Sequence, residues 1–104
     1  MDYHDLIRIE NKILPTVRIG KHGLTLAIIN DVKKQLDLKG LVKVKVLKNF
    51  YGEFCEAEEK RKILKDLAEK LKESTKSEIV CIKGNTILLY NKAAKQFKPT
   101  FKGI

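Results

Sequence analysis

Four residues, Gly20-Lys21-His22-Gly23, have the types and spacing from which a phosphate site can be built. They follow a short apolar-alternating run, Pro15-Thr-Val-Arg-Ile19, and lead directly into a helix-like pattern that begins at Leu24. Glycine reaches positive φ and lets another backbone approach without a Cβ in the way, and the first turn of a helix leaves N–H groups pointing outward without partners. The helix dipole adds about half a positive charge at that end, and Lys21 and His22 add side-chain donors. The chemistry on offer is a clamp on an RNA backbone: N–H groups near Gly23 and Leu24 hold phosphate oxygens while Lys21 supplies a point charge. Two glycines three apart also make an ordinary strand-to-helix turn, so the elements around them matter.

Residues 15 to 19 read as a strand with Val17 and Ile19 on one face and Arg18 on the other. Leu24 to Leu38 reads as a helix, with Thr25 at or just inside its start, an apolar stripe of Leu24, Ala27, Ile28, Val32 and Leu36, and Gly40 as terminator. Leu41 to Lys48 is the clearest strand. Val42, Val44 and Val46 share one face and Lys43 and Lys45 the other, which predicts a wet side with two exposed ammonium groups. Those lysines either extend an RNA surface or serve to discourage edge pairing. A turn-rich segment, Asn49-Phe-Tyr-Gly-Glu53, leads to a second helix in which Ile63, Leu64, Leu67, Ala68 and Leu71 repeat with helical period. Glu78 to Ile82 and Thr86 to Tyr90 flank Lys83-Gly-Asn85, which predicts two antiparallel strands joined by a two-residue turn. Residues 1 to 14 fit neither period.

The chain has 104 residues, enough for one domain with its own core. Its 22 Lys and Arg against 13 Asp and Glu give a net charge of +9, a balance that favours polyanionic partners. Most of the excess lies in residues 24–55 and beyond residue 76, while Glu56 to Lys76 is nearly balanced, its charges spaced for weak i,i+4 pairs. In the C-terminal tail, Lys92, Lys95, Lys98 and Lys102 are interleaved with Phe97 and Phe101, which could stack bases, dock on the domain or carry no defined role. The acidic start, Met1-Asp-Tyr-His-Asp, is unlike a signal peptide and no run approaches a membrane span, so the expected location is intracellular, in the cytoplasm, with no membrane partner. Cys55 and Cys81 are expected to be reduced there. With His4 and His22 they show no metal-ligand spacing, so neither metal nor cofactor is expected.

No nucleophile elbow, Walker loop or dinucleotide fingerprint is present, and the chain does not read as an enzyme. A small ribonuclease using His4 and His22 as acid and base is the weakest alternative. A basic DNA-binding, chromatin-type or protein-bridging module is the stronger one, because charge alone does not distinguish RNA from DNA.

Val17-Arg-Ile-Gly-Lys-His-Gly-Leu-Thr25, then Leu41-Val-Lys-Val-Lys-Val46, then Gly84 and Leu88-Leu-Tyr90 resemble, in order and spacing, the CRM domain (chloroplast RNA splicing and ribosome maturation). Its free-standing bacterial and archaeal members are the YhbY-like proteins, and this chain reads as an archaeal one. The resemblance covers residues 15 to 91. It implies a compact two-layer α/β domain, a mixed four-stranded sheet with helices mainly on one face, and a KH-like GxxG loop between the first strand and the following helix. It also implies a short N-terminal helix, RNA binding and association with ribosomal precursors. Asn91 stands where the family often has arginine, and residues 1 to 14 carry Asp2, Asp5 and Glu10 where bacterial relatives tend to begin with a basic helix. The expected organisation is an N-terminal segment over 1–14, a CRM-like RNA-binding domain over 15–91 and a basic tail over 92–104. The expected RNA-binding residues are Gly20, Lys21, His22, Gly23 and Leu24, extended by Arg18, Lys43 and Lys45. The partner is RNA, ribosomal RNA or pre-ribosomal particles, and a monomer is favoured.

Overall fold

Period-two burial defines the sheet. Val17 and Ile19 in β1 (Val17–Ile19), Val42, Val44 and Val46 in β2 (Leu41–Val46), and Ile87 and Leu89 in β4 (Thr86–Tyr90) all turn their side chains into one buried cluster. The computed structural model describes residues 3–52, 54–91 and 93. The expectations for the basic tail from Lys92 onward, and for the His4 side chain, lie outside what it describes.

The strands form one mixed sheet in the order β1-β2-β4-β3, with β3 spanning Glu78–Lys83. β1 runs parallel to β2 with Val17 opposite Val44 and Ile19 opposite Val46; β2 with β4 and β4 with β3 are antiparallel. Parallel neighbours need a crossover, supplied here by α2 (Leu26–Lys39), which begins two residues later than its periodicity suggests because Thr25 stands outside as the cap. The Thr25 hydroxyl accepts the Ile28 N–H at 3.2 Å. Ala27, expected in the apolar stripe, is exposed, while Val32 and Leu36 are buried as expected. The segment 49–53, expected as a turn, holds a one-turn helix, α3 (Lys48–Tyr51). The long helix α4 (Ala57–Thr75) follows and buries Leu64, Leu67, Ala68 and Leu71 against α2 and the sheet. Its interleaved charges do not close on one another: among the described residues no ion pair joins two α4 positions. Gly84 and Asn85 make the hairpin turn between β3 and β4. No helix among the described residues is long and apolar enough to cross a membrane.

The second face of the sheet departs from expectation. Alternation along β2 puts Lys43 and Lys45 on this side and predicts that both are wet. Lys45 is exposed, but Lys43 is buried. The N-terminal helix α1 (Tyr3–Arg8) and the 3-10 turn Glu10–Lys12 run across this face, and Ile13, Leu41, Val80 and Leu88 form a second buried cluster beneath them. A bulge in β3 leaves Val80 without an opposite residue, so Val80 and Cys81 both turn toward this cluster. At its edge the Lys43 ammonium lies 2.9 Å from Glu10 Oε1 and donates to the Glu10 carbonyl at 3.0 Å; the two side chains are 7% and 5% exposed. Lys83 approaches the other Glu10 oxygen at 3.8 Å. Strand period tells which face a residue takes, but not whether a distant segment covers that face.

Glu10→Gln leaves the Lys43 ammonium buried without a counter-charge and is expected to cost about 3–5 kcal/mol, whereas Asp5→Ala at the exposed Asp5–Arg8 pair should cost less than about 1 kcal/mol. Urea denaturation of both variants checks this. Equal, small losses would mean that the N-terminal segment does not hold this face.

Candidate nucleic-acid interface

β1 and β2 run parallel, so the chain leaves both at the same end of the sheet. The Leu47 N–H donates to the Ile19 carbonyl at 2.8 Å and fastens the two exits together. The GxxG segment leaves β1 there, and α3 starts immediately after Leu47. Gly20 lies against α3: a Cβ added to it would meet Asn49 Oδ1 at 3.2 Å and Leu47 Cδ1 at 3.7 Å. Gly23 has φ +69°, in the left-handed region, and its N–H donates to the Gly20 carbonyl at 2.9 Å. The loop is thus a closed turn with Lys21 and His22 exposed at its tip. Gly23's own N–H is taken up inside the turn, while the first-turn N–H groups of α2 at Leu26 and Ala27, ahead of the Thr25 cap bond, have no intrahelical partner.

Facing the loop is a cleft of about 590 Å³ lined by Lys21, Lys48, Asn49, Gly52 and Lys60. Its ammonium groups come from the loop, α3 and the first turn of α4. Lys60 is placed by its neighbour: its Nζ sits 5.6 Å above the centre of the Tyr51 ring. Tyr51 in turn is packed edge-on against Phe50, with ring centres 5.6 Å apart, and donates its hydroxyl to Asn85 Oδ1 at 3.1 Å. Burial pushes the Tyr51 phenol above its ordinary pKa of 10.0, and the Cys55 thiolate, when charged, pushes it further. Burial raises the Cys81 thiol in the same way, with Glu10 adding to it and Lys43 and Lys83 opposing.

The residues expected from sequence divide into groups. Gly20, Lys21, His22, Gly23 and Leu24 form one loop beside the cleft. Arg18 and Lys45 sit opposite each other in register and are both exposed, but on the face of the sheet away from α4. Lys43, expected with them, is withdrawn under the N-terminal segment and presents no free ammonium to solvent. Lys48, Asn49 and Lys60 are not identified from sequence. The signal that could have found them is the parallel pairing of β1 with β2, which obliges residues 20–23 and 47–52 to meet.

The model of the CRS1 / YhbY (CRM) domain family matches residues 2–91. The chain is 32% identical over 81 residues to a Bacillus subtilis (strain 168) protein named "Probable RNA-binding protein YqeI", covering 78% of this chain and 74% of that one. It also superimposes on the solution structure of the hypothetical protein SAV1595 from Staphylococcus aureus, described as a candidate RNA-binding protein. The TM-score is 0.69 and the identity 29%, over 95% of this chain and 93% of the other.

Because the folded phenol is harder to ionise than the unfolded one, Tyr51 contributes stability that is complete below pH about 10 and is lost as pH rises through its folded value. Tyr51→Phe removes this contribution along with the bond to Asn85. The variant should be about 0.5–1.5 kcal/mol less stable at neutral pH, with the gap closing in the alkaline range. Denaturation of both proteins across pH 7 to about 11 tests the sign; a gap that widens with pH would contradict the assignment.

Proposed function

The chain belongs to the CRS1 / YhbY (CRM) domain family, and we propose that it binds RNA by holding the sugar-phosphate backbone between the loop at residues 20–23 and the basic cleft beside it. The observation that carries this reading is the convergence of Lys21, Lys48 and Lys60, from three separate elements, around a turn whose glycines let it pack closely against α3. Lys21 and His22 reach phosphate oxygens from the tip, Lys48 and Lys60 from the opposite wall, and the first-turn N–H groups of α2 add neutral donors. Leu24 leads from this turn toward α2, and Arg18 and Lys45 extend the positive surface around the sheet. Lys43 takes no part. The names of the Bacillus subtilis and Staphylococcus aureus relatives support RNA as the partner class, and the net charge of +9 supports a polyanion in general.

Binding is noncovalent and involves no catalysis. The family resemblance points to ribosomal RNA or pre-ribosomal particles in the cytoplasm, with a role in assembly of the large subunit.

A Lys21→Asp/His22→Asp double variant replaces exposed side chains and should keep the wild-type circular dichroism. Its affinity for a structured ribosomal RNA fragment, followed by fluorescence anisotropy across a salt series, should fall at least about tenfold, or about 1.4 kcal/mol. Duplex DNA should compete weakly. If affinity barely moves and DNA displaces RNA equally well, the surface is diffuse charge and the DNA-binding alternative gains. Sedimentation of the protein with ribosomal precursors on a sucrose gradient, lost in the same variant, tests the assembly role.

A further inference from the structure

A second groove of about 420 Å³ is lined by Leu24, Phe50, Ile63, Asp66, Leu67 and Lys70; its Phe50 follows Asn49 of the basic cleft, and its Leu24 ends the loop that carries Lys21. Gly23 connects the two: the position of its absent Cβ is 3.6 Å from Phe50 Cε2, so the turn that offers phosphate donors on one side rests on the aromatic ring that walls the groove on the other. The groove has an apolar floor and a polar rim. Leu24, Phe50, Ile63 and Leu67 are carbon surfaces suited to the face of a planar ring. Asp66 and Lys70 are exposed one turn apart on α4, at the i,i+4 spacing of an ion pair, yet among the described residues no ion pair joins them. The carboxylate therefore offers two acceptor oxygens and the ammonium its donors to whatever enters.

We propose that this groove binds one unpaired guanine of the RNA held in the neighbouring cleft, an inference that rests on the RNA-binding reading above. A base splayed from single-stranded RNA needs an apolar seat within reach of the clamp on its own phosphate, and the groove and the lysine-lined cleft are walled by successive residues of α3, Phe50 and Asn49, and by the same loop, Leu24 and Lys21. The rim selects among the bases. Guanine alone places two adjacent donors, N1–H and the N2 amino group, where one carboxylate can accept both, and its O6 and N7 are acceptors for a lysine. Adenine and cytosine each offer one amino donor beside a ring acceptor, and uracil a single N–H between two carbonyls. Asp66 and Lys70 match guanine and leave the others partly unpaired. A paired guanine has this edge occupied, so the groove distinguishes looped or single-stranded RNA from duplex.

Short oligouridine strands with a single central guanine, a single central adenine or no substitution test the proposal by fluorescence anisotropy at one fixed salt concentration. The wild type should bind the guanine strand about tenfold more tightly than the adenine strand. Asp66→Ala changes an exposed residue and should erase that difference; because it also removes a negative charge, affinity for oligouridine should stay level or rise. The Lys21→Asp/His22→Asp variant should weaken every strand alike. The guanine site is overturned if the wild type binds the guanine and adenine strands within about twofold, or if Asp66→Ala keeps the preference. Equal binding that still depends on Lys21 leaves the RNA clamp standing and removes only the guanine site. A wild type that binds none of the strands overturns both.

Discussion

The parallel pairing of β1 with β2 is the constraint from which the interface follows. Parallel strands release their chains at the same end of the sheet, and a crossover is needed to return from one to the other. Here α2 is that crossover, so the chain arrives at its start through the glycine turn, and the exit of β2 delivers α3 to the same place. The bond from Leu47 to the Ile19 carbonyl records how closely the two exits lie. Had β1 and β2 been joined as a hairpin, the loop would have been a short turn between them, with neither a helix N-terminus behind it nor α3 in front. The cleft belongs to the topology as much as to its lysines.

Much of the architecture is legible in the amino-acid order because it rests on local periodicity. Val42, Val44 and Val46 mark a strand, Leu64, Leu67, Ala68 and Leu71 a helix, and Gly84-Asn85 a hairpin, and each does so within a window shorter than the element. The loop is legible for the same reason, since Gly20 and Gly23 sit between a strand pattern and a helix pattern. What stays hidden depends on contacts between segments far apart in the chain. Lys43 reads as exposed until Glu10, 33 residues earlier, is seen beside it. Lys60 reads as one charge among many on a solvated helix until the Tyr51 ring is found beneath it. The N-terminal segment carries no clear period because Tyr3 to Lys12 lie as a short helix and a 3-10 turn across the sheet, anchored at a few points.

The distribution of charge follows from the same arrangement. The sequence has a large positive excess, but the structure sorts its cations into different tasks. Lys43 is spent inside, on Glu10, where its charge is neutralised and its hydrogen bonds satisfied. Lys72 faces Glu78 across the end of α4, and Lys83 leans toward Glu10. Lys21, Lys48 and Lys60, like several other surface cations, have no carboxylate within salt-bridge distance among the described residues, and these three line the cleft. Three unneutralised ammonium groups thus stand beside the glycine turn, available to a polyanion.

The hydrogen bond between Tyr51 and Asn85 spans 34 residues of sequence and joins α3 to the tip of the β3–β4 hairpin, whose Asn85 carbonyl also accepts the Val46 N–H at 2.7 Å. One wall of the cleft is therefore set by a turn that takes no part in lining its loop side. This limits modularity. The segment from Val17 to Tyr51 holds the glycine turn, the crossover helix and α3, and looks like a unit that could be moved to another scaffold, but without the hairpin it would arrive with Tyr51 untethered and Lys60 missing. Natural shuffling or deliberate grafting can transfer this interface only as the whole domain, and insertions at the hairpin tip, remote from the loop in sequence, would be read out in the shape of the cleft.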